Sequence, residues 1–267
     1  MDNRPIGVFD SGVGGLTVVK QLMKVLENES IVYFGDTARV PYGNKSKETV
    51  TKFSRQDIRF LLSKDVKAVV IACNTASSNS LDEMKAEFDV PIFGVVIPGA
   101  LEAVKATNNK KIGIIGTSAT VRSGQYKRLI TELCPESEVY EKACPLFVPL
   151  AEDGWTDNDV AYMTAKLYLK DMMDKGVDCV VLGCTHYPLL KQCIGETVGE
   201  NIKLVDPAKE AAIVVKNFLT QNNALREDAS APRHVFYVSD KTDIFANMCE
   251  KALKKTYVPE EIDIEKY

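Results

Sequence analysis

Short apolar runs recur along the chain at residues 6–9, 30–34, 68–72 and 92–96. Between them, over 16–27 and 47–64, apolar residues fall at helical spacing rather than in alternation. The middle of the chain repeats this grammar, with strands expected at 111–115, 179–182 and 203–205 and helices at 121–133 and 157–174. Near-continuous Val and Ile runs suit strands covered on both faces, so the pattern predicts parallel sheets flanked by helices. A tail from residue 207 adds a helix at 208–219, a polar loop at 221–233, a strand at 234–238 and a last helix at 243–254.

The two halves also resemble each other. Ile6-Gly7-Val8-Phe9-Asp10-Ser11 answers Ile112-Gly113-Ile114-Ile115-Gly116-Thr117, and Val40-Pro41 answers Val148-Pro149. Val69 to Thr75 answers Val180 to His186, Pro98 answers Pro207, and the offset stays close to about 110 residues throughout. Four matches in one order point to duplication of an α/β unit. The fold class expected is therefore α/β, with two pseudo-symmetric, doubly wound parallel-sheet domains and an active site in the cleft between them. Residues 1–97 plus 207–267 would form a discontinuous first domain and residues 98–206 the second, joined by two chain crossings.

Composition narrows the function classes. Of 267 residues, 45% are hydrophobic and 26% charged, the balance of an ordinary globular protein. The formal net charge of -4, with no basic run interleaved with aromatics, argues against nucleic acid or an anionic membrane as partner. No basic and apolar leader opens the chain and no stretch of eighteen apolar residues occurs, so a cytoplasmic location is expected. Seven cysteines without a C-x-x-C pair, and two histidines, favour reduced thiols over disulfides or structural zinc.

Ligands of open parallel sheets bind beyond the carboxyl ends of the strands. Cys73 and Cys184 each follow an apolar strand directly, at equivalent points of the repeat. Facing each other across a cleft, they would supply what inversion of a stereocentre needs: one group to take a proton from one face and another to deliver a proton to the opposite face. Thiols suit this work, because a helix N-terminus or a nearby cation promotes the thiolate while the thiol remains a competent acid. The other cysteines, at 134, 144, 179, 193 and 249, read as small buried hydrophobes.

Around the pair, Asp10 and Ser11 lead into a glycine-rich stretch that matches neither G-x-G-x-x-G nor a G-K-[ST] phosphate loop, which disfavours a nucleotide. Its backbone N–H groups and the Ser11 hydroxyl are expected to receive a carboxylate. Asp10 would reach a substrate ammonium or the Cys73 proton, its alternative role being a helix cap. Asn74, Thr75, Thr185 and His186 follow the two cysteines as short donors heading helices, with His186 placed to tune Cys184 or act as an acid. Pro41, Tyr42 and Gly43 lie in a turn-rich loop able to close over a small ligand. In its repeat mate, read as a loop at 148–154, Glu152 is a partner for His186 or Cys184. His234, beside a predicted strand, reads as a packing residue.

D-S-G-V-G-G-L-T-V at 10–18, D-T-A-R-V-P-Y-G at 36–43, A-C-N-T-A-S at 72–77 and G-C-T-H-Y-P-L-L at 183–190 together resemble the signature set of the glutamate racemases, over nearly the whole chain. The resemblance implies interconversion of L- and D-glutamate with no cofactor and no metal, feeding D-glutamate to peptidoglycan and the cell wall. It places the catalytic thiols on Cys73 and Cys184, and the reading of the residues above adds Asp10, Glu152 and His186 as assisting groups. Substrate contacts fall on Asp10, Ser11, Pro41, Tyr42, Gly43, Asn74, Thr75, Thr185 and His186. Glutamate is then the small-molecule partner, and the sequence leaves a homodimer open. Rival readings are a racemase or isomerase for aspartate or maleate on the same scaffold, a two-domain ligand binder without chemistry, and a thiol redox protein.

Overall fold

A computed structural model describes residues 1–241 and 243–267 and contains two separate, wholly parallel sheets. The first has the order β10-β9-β2-β1-β3-β4, from strands Ile6–Asp10 (β1), Ile31–Gly35 (β2), Ala68–Ile71 (β3), Ile92–Gly94 (β4), His234–Val238 (β9) and Glu260–Glu261 (β10). The second has the order β6-β5-β7-β8, from Lys111–Gly116 (β5), Glu138–Ala143 (β6), Cys179–Gly183 (β7) and Lys203–Val205 (β8). Four consecutive strands of the first sheet, β2-β1-β3-β4, thus run 2-1-3-4, and the second sheet repeats that order in its own strands. The parallel α/β class read from the sequence holds, the two sheets share one strand order, and the tail from residue 207 returns to extend the first sheet beside β2.

Both faces of each sheet are covered, which explains the uninterrupted apolar runs. On β1, Ile6 and Val8 enter one core cluster and Phe9 the cluster on the opposite face. On β7, Val180 and Leu182 pack to one side while Cys179 and Val181 pack to the other. The helices start where the sequence supplies caps. Ser46 accepts from the N–H of Thr49 to start Lys47–Leu62 (α2), and Asn158 does the same for Asp159–Asp174 (α8). Asp206, followed by Pro207 in the first turn, opens Pro207–Gln221 (α10). Among the described residues, no helix is long and apolar enough to cross a membrane.

Three local expectations are corrected. The helix expected over 121–133 is two helices, Ser118–Ser123 (α5) and Gln125–Leu133 (α6), broken at Gly124, whose φ of 61° lies in the left-handed region. β6 escapes the periodicity because it is a half-exposed edge strand with charged residues at three of its six positions. The stretch read as a loop around Glu152 is a short helix, Phe147–Glu152 (α7). Val148-Pro149 suggests extended chain, but Pro149 lies in the first turn, where its missing N–H costs nothing.

A buried ion pair fastens the returning tail to the first sheet. Lys67, just before β3, meets Glu29 at 2.6 Å, both side chains being at most 2% exposed. Its ammonium also donates to the carbonyl oxygens of Asp2 and Ala224, and Glu29 accepts from the N–H of Arg226. Removing one partner strands a charge in the interior. Lys67→Met is expected to destabilise the fold by about 3–5 kcal/mol, with partial recovery when Glu29→Gln is added. Thermal or denaturant unfolding measures this, and an unchanged midpoint for Lys67→Met would refute it.

Candidate active site

The carboxyl ends of β1 and β3 and those of β5 and β7 border one cavity of about 370 Å³, within the range of roughly 300–1,000 Å³ usual for small-molecule sites. Cys73 and Cys184 both line it. So do Ser11, Pro41, Tyr42, Gly43, Asn74 and Thr75, and on the far side Glu152, Thr185 and His186. A wider groove of about 980 Å³ runs along β8 past Glu102, Lys191 and Lys209, but neither thiols nor histidines border it.

Cys73 holds the N-cap position of Asn74–Glu87 (α3), the place a serine usually takes, and its sulfur accepts from the N–H of Ala76 at 3.5 Å. The Ser11 hydroxyl stands 3.5 Å from the same sulfur. Burial and the charge of Asp10 push the thiol up to about 12, against the pull of Ser11 and the Ala76 N–H. Asp10 does not reach the cavity wall. It is fully buried behind Ser11 and Gly12, accepting from the Gly12 N–H at 3.1 Å and the Thr185 hydroxyl at 3.3 Å. Burial raises its carboxyl, in spite of the His186 charge and the N–H groups of Gly15 and Gly12. The glycine-rich loop therefore spends the Gly12 N–H on Asp10, where the sequence suggested a substrate carboxylate.

The glycines in that loop serve close approach. A Cβ on Gly14 would lie 2.4 Å from the Thr185 hydroxyl and 2.6 Å from the His186 ring, and one on Gly15 would lie 2.4 Å from Asp10 Cβ. Only at these separations can the β1 loop meet the loop after β7.

On the opposite wall, Cys184 Sγ lies 3.8 Å from His186 Nδ1, and His186 Nε2 lies 3.0 Å from Glu152 Oε1. The relay runs from thiol to imidazole to carboxylate, with α7 carrying its last member. Burial works against charge on His186, but the hydrogen bonds and charges of Cys184 and Glu152 outweigh it and hold the imidazolium pKa up at about 10.

Each thiol loop is also tied to the other sheet. Asn74 accepts from the Tyr126 hydroxyl at 2.7 Å, and the hydroxyl oxygens of Thr75 and Thr117 are 2.8 Å apart. In return the Thr17 hydroxyl donates to the Thr185 carbonyl at 3.0 Å.

Several bordering residues were missed by sequence reasoning, among them Asn44, Thr117, Ser118 and Pro145. The repeat held a signal for one of them, since Thr117 answers Ser11. The Tyr42 hydroxyl, for its part, points away from the cavity toward Asp36 and Asp57.

The electrostatics predict a titration. His186 is expected to keep its second proton until the pH approaches about 10. Because its folded pKa lies above the ordinary value near 6.5, its contribution to stability is present below that value and fades as pH rises through the folded one. Glu152→Gln should lower the folded pKa. NMR of the His186 ring reads both, and an unshifted titration in Glu152→Gln would refute the coupling.

A family model described as Asp/Glu/Hydantoin racemase matches residues 6–214. The chain is 52% identical over 237 residues to a glutamate racemase of Geobacter metallireducens, covering 89% of this chain and 88% of that protein. It is 48% identical to one of Thermoanaerobacter pseudethanolicus, over the whole of both. Its fold superposes with a TM-score of 0.94, at 39% identity and full coverage of both chains, on a crystal structure of glutamate racemase from Francisella tularensis in complex with D-glutamate. With the match to the family model spanning most of its length, the chain belongs to the Asp/Glu/Hydantoin racemase family.

Proposed function

We propose that this protein is a glutamate racemase that interconverts L- and D-glutamate without a cofactor, with Cys73 and Cys184 as opposed acid and base. The observation that carries the reading is that both thiols border one cavity while standing at the carboxyl ends of equivalent strands in two different sheets. A substrate α-carbon between them presents one face to each sulfur.

With D-glutamate bound, the Cys73 thiolate takes the α-proton and the electron pair is left on carbon, delocalised into the α-carboxylate. The Cys184 thiol gives its proton to the opposite face and becomes the thiolate. The resulting L-glutamate leaves one sulfur protonated and the other not, the reverse of the starting state. His186 beside Cys184 can pass or reclaim a proton, and Glu152 holds its ring in place. Of the donors that line the cavity, the Ser11 hydroxyl and the Asn74 side-chain amide would stabilise the charge developing on the substrate carboxylate. In this reading the product enters peptidoglycan synthesis in the cytoplasm, where seven free thiols stay reduced.

Circular dichroism of D-glutamate, with neither pyridoxal phosphate nor metal added, tests the assignment. The signal is expected to decay to that of the racemate, while D-aspartate stays optically active. Cys73→Ser and Cys184→Ser should each lower kcat by at least the roughly 10²–10⁴-fold that a positioned acid or base supplies. Racemisation of aspartate in preference to glutamate would replace the substrate, and full activity in either serine variant would end the two-thiol mechanism.

A further inference from the structure

The segment that carries Pro41, Tyr42, Gly43 and Asn44 to the cavity wall has only two 3-10 turns, Thr37–Arg39 and Tyr42–Asn44, to give it shape. A buried polar cluster on its far side holds it. The Tyr42 hydroxyl sits between two fully buried carboxyl groups, hydrogen-bonded to Asp36 Oδ2 and 3.0 Å from Asp57 Oδ2. Arg39 spans the same pair, its Nε donating to Asp36 Oδ2 at 2.6 Å and its Nη2 to Asp57 Oδ1 at 2.9 Å. Its Nη1 donates to Gln56 Oε1 at 2.6 Å, and its guanidinium lies 4.1 Å from the centre of the Phe53 ring. Ser239, after β9, donates to Asp36 Oδ1 at 2.9 Å. Glu265 approaches Arg39 at 3.4 Å but is largely exposed, so water screens its charge.

Counting protons leaves one contact unexplained. The phenol owns a single proton and gives it to Asp36, which also receives Arg39 and Ser239 and so bears the charge. Asp57 Oδ2 then faces the phenol oxygen at 3.0 Å with no hydrogen between them, unless Asp57 brings its own. Counting charges gives the same answer, because one guanidinium, its side chain 10% exposed, stands against two fully buried carboxyls.

We propose that Asp57 is a protonated, neutral acid that donates to the Tyr42 oxygen while accepting from Arg39, and that it is thereby a positioning residue for the substrate-facing loop. The direction of its titration agrees: burial and the charge of Asp36 push its carboxyl well above the usual carboxylate range, against Arg39 and Tyr42. Asp57 does not border the cavity. It acts through Tyr42, whose neighbours Pro41 and Gly43 border the cavity.

Asparagine reproduces a neutral acid in both roles, its Nδ2 donating to Tyr42 and its Oδ1 accepting from Arg39. Asp57→Asn is therefore expected to keep KM for glutamate within about two-fold of wild type, the margin left for a small shift in hydrogen-bond strength. Asp57→Ala leaves Tyr42 and Arg39 without that partner and is expected to raise KM about ten-fold, with kcat changing less. The kinetic arm rests on the racemase reading, so a second arm does not. An infrared difference spectrum, wild type minus Asp57→Asn at neutral pH, should show loss of a protonated carboxylic acid band and no loss of a carboxylate band. Loss of a carboxylate band, or an Asp57→Asn variant as impaired as Asp57→Ala, overturns the neutral acid, and a wild-type KM in Asp57→Ala overturns the positioning role. Should the chain fail to racemise glutamate at all, the infrared result still decides whether Asp57 is neutral.

Discussion

Two parallel sheets present their carboxyl edges to one cavity, and loops from each edge are bonded to the other. Asn74 and Thr75 reach across to Tyr126 and Thr117, and Thr185 reaches back to Thr17 and Asp10. The close approach is steric as much as polar, since even a methyl group at Gly14 would collide with Thr185 and His186. A stereocentre can be inverted only from two sides. A single sheet offers one row of strand ends and hence one side, whereas a duplicated sheet turned to face its copy offers both.

Duplication supplies two equivalent thiol positions but leaves their surroundings free to diverge. Cys73 caps a helix next to a serine and in the field of a buried carboxyl, and burial with that carboxyl raises it to about 12. Cys184 instead stands beside an imidazole backed by a carboxylate on α7. At the first site the neighbouring groups discourage a second negative charge. At the second they offer a mobile proton. The two walls are thus alike in geometry and unlike in chemistry, as a reaction that runs in both directions from chiral ligands permits.

Much of this was legible in the sequence, because the features that position the thiols are local. An apolar strand, a small residue, then a cysteine and short donors describe both β3 into α3 and β7 into the turn at Tyr187–Leu190. The repeat gave the two equivalent thiol positions, whereas the strand order that the two sheets share is visible only in the structure. What escaped depended on contacts between distant residues. Pro149 disguised a helix that aims Glu152 at His186 and lends Val148 and Pro149 to the cavity wall. The glycines at 12, 14 and 15 looked like an anion cradle, yet Asp10, two residues away, takes the Gly12 N–H, and Gly14 is there for the distant approach of Thr185 and His186. Asp57, in the middle of a helix and 15 residues from Tyr42, carries no sequence mark of the buried cluster it joins.

In the proposed reaction, protons leave and arrive on opposite faces of one carbon, through two different sulfurs. The most direct measurement is the isotopic content of both enantiomers early in the reaction of unlabelled D-glutamate in deuterated water. Deuterium is expected at the α-carbon of the L-glutamate formed and protium in the D-glutamate recovered. Protium carried into the product, or deuterium entering recovered substrate as fast as product, would mean that one group serves both faces.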